Sequence, residues 1–287
     1  MSVLTKKAVL AALNVGGWEP RKKDDDAANI VHKHFHAEKD SGNYNKVLID
    51  VKDESWVRIT KARSALRDYH YTHTVGWIHK GAQLLPAAMY LDYNGDIIKL
   101  IREYTNAAEA FIAHSYDDLK KDAKIKRNGL YRESDYPSKA ELVRKFYAEV
   151  KYLPVPDAGH VVVDLVNDEV KRIQRDTESM IEAAVEQSRR EVWERLYEPV
   201  RNMAAALVEP DKRFHDTLVS NVRDMVKMAP SMNLADDKKL DAMVEEVKKN
   251  LTKASADSLR NNPDKRAEQA KKAADLAKKM ASLMPKP

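Results

Sequence analysis

Between Asn167 and Leu207, apolar or small side chains recur every three or four residues: Val170, Ile173, Thr177, Met180, Ala184, Ser188, Val192, Leu196, Val200, Met203 and Leu207. That spacing draws one stripe along one face of an α-helix. The intervening positions are mostly Glu, Arg, Lys and Gln, which suit solvent. About forty residues at the helical rise span roughly 60 Å. Such a rod cannot hide inside one small globule, so it is expected to be the spine on which other elements pack. Pro199 lies within it and predicts a kink near Tyr197, because proline removes a backbone hydrogen bond and crowds the preceding turn.

The rest of the chain reads as mainly α (α+β), with long helices and a small antiparallel sheet of about three strands. Further helices are expected from Asp25 to Ala37, Trp56 to His73, Ile97 to Lys124 and Asp264 to Met284, with shorter ones around Phe214–Met225 and Leu240–Leu251. The strands are expected at Ala8–Val15, at the alternation Phe146, Ala148, Val150, Tyr152, and at His160–Leu165. Asp92–Gly95 reads as a turn, and Gly76–Pro86 as a shaped connection marked by two glycines and a proline. A soft boundary falls near Leu165. It separates a mixed region (1–165) from a helical one (166–287), and the two can pack as one body.

Charged residues make up 33% of the chain and apolar ones 43%, which excludes a disordered polyelectrolyte. No apolar run is long enough to cross a bilayer, so no membrane partner is expected. Met1–Val15 carries Lys6 and Lys7 before an apolar stretch but lacks a small-x-small cleavage pattern, so it reads as mature protein with a cytoplasmic setting as the default. There is no cysteine, which removes disulfides and thiolate chemistry. Walker, GxSxG and GxGxxG patterns are missing. The chain is therefore read as a non-enzymatic protein with no cofactor.

His32 and His36 stand one helical turn apart and could grip a metal with Glu38 or Asp40. Beside Ile30, Val31 and Phe35, the favoured reading is plain surface or half-buried histidines and no metal site. A metal-dependent nuclease built on them and on scattered aspartates is kept as a minor alternative.

The charge is unevenly placed. Lys238–Pro287 holds 13 Lys and Arg against 7 Asp and Glu, a net of +6, whereas the whole chain carries +5. The remainder is therefore −1, and the C-terminal fifth is where an anionic partner would be met. In the last helix Ala273, Leu276, Met280 and Leu283 share one side, and Lys271, Lys272, Lys278 and Lys279 lie away from it. With Arg21, Lys22 and Lys23 these form the candidate nucleic-acid contacts. Near Tyr69, His70, Tyr71 and His73, aromatics interleave with Arg58, Lys61, Arg63 and Arg67. They are read chiefly as a core-facing rim with solvated arginines rather than as a base-stacking surface.

Four stretches carry a family resemblance: Trp18-Glu-Pro-Arg21-Lys22-Lys23-Asp24, Gly76-Trp-Ile-His-Lys-Gly-Ala-Gln-Leu-Leu-Pro86, Asp135-Tyr-Pro-Ser138 and Pro154-Val-Pro-Asp-Ala-Gly159. With Phe214…Asn221 and Asn233-Leu-Ala-Asp-Asp237-Lys-Lys-Leu240, they resemble a family of uncharacterised phage and prophage proteins over about Lys7–Leu251. More distant relatives neighbour MoxR-type AAA+ ATPase and von Willebrand factor A-type genes. The resemblance implies a phage origin and a role near nucleic-acid metabolism or an ATPase assembly. It carries no active-site residue across.

Two functions follow as expectations. One is nucleic-acid binding in phage DNA metabolism through the basic C-terminal helix, with DNA ahead of RNA. The other is a protein–protein adaptor or inhibitor of a host factor or co-encoded ATPase, using Val170–Leu207 to hold a partner or a second copy. A virion structural role is a weaker third.

Overall fold

The computed structural model describes residues 3–79, 81–160, 166–209 and 213–285. The chain is 70% helical. Its helices are α1 (Val3–Lys7), α2 (Asp25–Phe35), α3 (Glu54–His73), α4 (Tyr90–Ala110), α5 (Tyr116–Arg127), α6 (Lys139–Lys145), α7 (Asn167–Val208), α8 (Thr217–Met232), α9 (Lys238–Leu251), α10 (Ala256–Asn261) and α11 (Pro263–Leu283). The strands are β1 (Ala8–Gly16), β2 (Arg21–Lys23), β3 (Asn45–Val47), β4 (Val75–Gly76), β5 (Gln83–Pro86) and β6 (Tyr147–Pro154). Four strands form an antiparallel sheet in the order β4-β5-β1-β6, and β2 pairs with β3 in a separate ribbon.

One local expectation is corrected and another is made specific. Asp92–Gly95 is not a turn. Asp92 lies in the first turn of α4, where a carboxylate suits the positive helix end. Gly95 continues the helix, and the buried Tyr93, Ile97 and Tyr104 offset its weak propensity. A π-helical turn at Phe111–Ser115 then joins α4 to α5, so that one joined helix runs through 87–130. The shaped connection Gly76–Pro86 is a hairpin. Val75 faces Leu84 and Gly76 faces Gln83 in register, and Gly81 supplies a left-handed φ of 98° between the strands. The expected strand His160–Leu165 lies, beyond His160, outside the described residues; Ala158–His160 forms a 3₁₀ turn.

The chain divides into two compact units. The first comprises residues 1–12, 71–93 and 151–287. Its core is the stripe of α7. Ala184, Ser188, Val192, Leu196, Val200, Met203 and Leu207 are buried, joined by Ile181 and Trp193. Against them pack Val222 and Met225 of α8, Val244 and Val247 of α9, and Ala273, Leu276 and Met280 of α11. The helix is continuous through Pro199.

A recurrent device holds these helices together: side chains from one helix satisfy the orphan carbonyls at the end of another. Arg266 donates to Ala206 O and Leu207 O, both at 3.2 Å, and to Glu209 O at the end of α7. Arg223 and Gln269 do the same for the end of α9. Arg195 reaches Tyr71 O and Thr72 O at the end of α3, while its neighbour Glu191 accepts the Gly76 N–H at 2.7 Å.

Asp237 closes the first unit. It caps α9 through Lys239 N and Leu240 N, and accepts from Trp193 Nε1 at 2.9 Å and Arg189 Nε at 2.7 Å. Burial pushes its carboxyl up, but those donors outweigh burial and hold it below the usual range. Asp237→Ala is expected to cost about 2–3 kcal/mol, the sum of a lost cap and two orphaned donors. Chemical denaturation would read this as a lower midpoint at unchanged slope; a midpoint equal to wild type would show that the cap and the donors find other partners.

The second unit comprises residues 13–70 and 94–150. Its core is aromatic. Trp18 meets Trp56 and Tyr116 edge-on at 5.8 and 5.7 Å, and Phe111 and Phe146 complete the cluster. Ser138 and Glu141 form a reciprocal capping box at the start of α6. Between β2 and the 128–138 segment lies a buried ion cluster. Lys46 Nζ donates to Asp24 Oδ2 at 2.7 Å and to Leu130 O at 3.1 Å, and contacts Asp135 Oδ2 at 2.7 Å.

Candidate nucleic-acid interface

Seven cations were expected to contact nucleic acid, and the structure divides them between the two units. Arg21, Lys22 and Lys23 form β2 in the second unit, and all three are exposed. Two are already engaged: Lys22 lies 2.8 Å from Asp135 and Lys23 lies 2.9 Å from Asp25. Lys22 thereby belongs to the rim of the buried Lys46 cluster, where it helps depress the Asp135 carboxyl against the upward push of burial. Only Arg21 of the three has no ion partner among the described residues.

The other four stand on α11 in the first unit. Arg266, Gln269, Ala270, Ala273, Leu276, Ala277 and Met280 define the buried side of that helix. At 100° per residue, Lys271 and Lys278 fall opposite that side and within about 20° of each other. Both are exposed, and neither has an ion partner among the described residues. Lys272 and Lys279 are turned toward the flank, where Lys272 pairs with Glu268 and Lys279 with Glu246 of α9, each at 2.5 Å. Exposed pairs of this kind are worth about 0–1 kcal/mol, so they do not lock the lysines. They do place a carboxylate beside any phosphate that approaches. The four lysines with Glu246, Glu268 and Asp275 carry a local net of only +1.

Comparison with family models, curated proteins and solved structures finds no match. The interface must therefore be judged on its chemistry alone.

Of the aromatics interleaved with the α3 cations, Tyr71 is exposed and His73 is half-buried, whereas others turn inward. Trp56, Ile59, Leu66 and His70 point into the core. Burial holds the His70 imidazole down to about 4, so it is neutral near pH 7. Tyr69 is half-buried and bonds Asp96. His32 is buried, with its Nδ1 lacking a hydrogen-bond partner among the described residues, and His36 is exposed. The His32 Nε2 meets Gly42 O at 3.1 Å, and His36 is the left-handed C-cap of α2, with φ of 51°. Among the described residues no group of three or more His, Asp or Glu side chains is arranged to hold a metal ion, and no helix is long and apolar enough to cross a membrane.

The sequence pattern missed one feature: Lys52, Arg58 and Lys61 line a groove together with Glu103 and Asn106 of α4. The α3 periodicity marks Arg58 and Lys61 as outward-facing. The opposite wall, more than forty residues later, is not visible from local spacing.

Proposed function

We propose that this chain is a non-enzymatic nucleic-acid-binding protein that meets the phosphate backbone through α11, with DNA ahead of RNA, in the phage setting that the family resemblance implies. The observation that supports this most is the placement of Lys271 and Lys278: aligned, exposed, unpaired and opposite the buried face. A helix so arranged docks apolar side down and offers two charges at a spacing of about 10 Å. Arg21 on β2 is a further unpaired cation. The half-neutralised lysine set favours weak, sequence-independent binding, because backbone charge and not base edges is what such side chains meet.

Fluorescence anisotropy of labelled duplex and single-stranded DNA at several salt concentrations tests this. Replacing Lys271 and Lys278 together by Glu is expected to weaken binding at least about tenfold at low salt and to flatten the salt slope by about two counterions. Affinity and slope equal to wild type would remove α11 as the contact; no binding by wild type at low salt would remove the function.

A second reading, a protein partner on the long helix, has one observation behind it. Val170, Ile173, Thr177 and Met180 are only half-covered, and Val166 is 77% exposed. The stripe from Ile181 onward is spent on the protein's own core, so a partner has only the first three turns of α7 to hold.

A further inference from the structure

We propose that the outward face of α2 is a self-association surface, on which a second copy of this chain packs its own α2 in antiparallel orientation about a two-fold axis. Helix α2 buries only Ala28 and His32. The chain that follows runs along that side: the Asp24 N–H donates to Tyr44 O at 2.9 Å, and His32 Nε2 meets Gly42 O at 3.1 Å. The apolar stripe of the helix lies elsewhere. Ala27, Ile30, Val31, His34 and Phe35 follow the i, i+3, i+4, i+7, i+8 spacing of a packing face, with the His34 ring edge-on to Phe35 at 4.9 Å. At 100° per residue, Ile30 falls about 180° from the midpoint of Ala28 and His32. Ile30, Val31 and Phe35 are accordingly 69%, 45% and 72% exposed. No other helix among the described residues exposes three large apolar side chains.

Lone apolar side chains are ordinary on a protein surface. A stripe with a helical period is different, because it is the pattern by which a helix docks on a neighbour. The charges beside the stripe say what that neighbour is. Asp26 and Lys33 stand one heptad apart on the same flank. An antiparallel helix of the same sequence, with the two-fold axis near Ile30, brings Lys33 level with Asp26 of the second copy and Asp26 level with its Lys33. Both charge pairs then form at once, as a self-complementary contact requires. The antiparallel orientation also sets the two helix dipoles favourably, whereas a parallel pair would place like ends side by side.

Within the chain Asp26 contacts Arg132 in an exposed pair, which is weak and does not withhold it. Three turns of helix offer less than the roughly 800 Å² per partner of a standard interface. The dimer is therefore weak, and its population rises with protein concentration. The surface lies within the second unit and is independent of α11 and of the nucleic-acid reading.

Sedimentation velocity of the full chain over about a hundredfold range of concentration tests this. The wild type is expected to pass from monomer toward dimer as concentration rises. Ile30→Glu should weaken the dimer at least about tenfold, since it sets two like charges beside the axis. Asp26→Lys and Lys33→Asp should each weaken self-association as well, because each sets like charges level across the axis. Mixed in equal amounts, these two variants should dimerise with each other, since one then offers two cations where the other offers two anions. All three positions are exposed, and circular dichroism melts that match wild type confirm the fold of each variant. A wild type that stays monomeric throughout overturns the proposal. A dimer that Ile30→Glu leaves intact is held by another surface and overturns it too. The mixing experiment stands without Ile30→Glu: a mixture no more associated than the separate variants overturns the antiparallel assignment.

Discussion

Val192→Lys is expected to unfold the α7-centred unit, whereas Ile173→Lys is expected to leave it folded. Both positions lie on the same stripe of the same helix, but Val192 is fully buried and Ile173 is half-covered. An ammonium at 192 would sit among Leu196, Trp193 and the facing helices. The nearby buried carboxylate, Asp237, is already committed to Trp193, Arg189 and the start of α9. The desolvation cost is several kcal/mol even after relaxation, and the lost packing adds about 1–3 kcal/mol. Together these rival the whole stability of a typical domain, about 5–15 kcal/mol. A lysine at 173 can run its stem along the helix and keep its charge in water, so its cost should stay within about 1 kcal/mol. Circular dichroism melts of the two variants decide this. A cooperative, native-like melt for Val192→Lys would mean that the stripe faces solvent there. Loss of the fold in Ile173→Lys would mean that the first turns of α7 are core, and the protein-partner reading would lose its surface.

The contrast also shows what the sequence could reveal. The stripe is legible because helical burial follows a fixed period, so Ala184 through Leu207 declare their common face without any knowledge of what covers it. Caps are legible for the same local reason: Asp24, Ser138, Asp237 and Asn262 each cap the helix that follows. The β4–β5 hairpin was not legible, since its strands have two and four residues, too short to show an alternation. Asp92–Gly95 has the composition of a turn, and only the tertiary burial of Tyr93 and Ile97 decides for helix. The lysines of α11 looked uniformly available because Glu246, the partner of Lys279, lies 33 residues earlier in another helix. The α3 cations and their opposite wall in α4 meet only through the fold. Local pattern reports which face a residue occupies; it does not report what that face meets.

Lys46→Met should destabilise the second unit by about 3–5 kcal/mol, the usual consequence of stripping the counter-charge from buried carboxylates. The side chains of Lys46, Asp24 and Asp135 are 4%, 2% and 4% exposed, and Lys46 bridges the two acids. Its hydrogen bond is the main reason that the Asp24 carboxyl lies below its ordinary value near 3.8, with the Ala27 N–H helping. Burial works against Asp135, but Lys22 and Lys46 bring it down as well. Burial likewise pulls the Lys46 ammonium down, and the two carboxylates more than restore it, to above 10.5.

The signs then fix the pH behaviour. Two carboxyls depressed in the folded state contribute stability that is present above about 3.8 and is lost as pH falls through their folded values. Lys46 contributes stability that is full below 10.5 and is lost only as pH rises beyond it. The wild type should therefore hold a plateau through neutral pH and lose stability in acid. In Lys46→Met the same carboxyls face each other without the ammonium, so their folded values rise and protonation becomes favourable. The deficit relative to wild type should then be largest near neutral pH and shrink as pH falls toward about 4. Thermal melts of both proteins across that range measure the difference directly. A constant deficit would mean that Lys22, already beside Asp135, and Arg132, already near Asp24, hold the carboxyls down without the ammonium, and a variant as stable as wild type at neutral pH would show that the cluster is no more stabilising than an apolar contact.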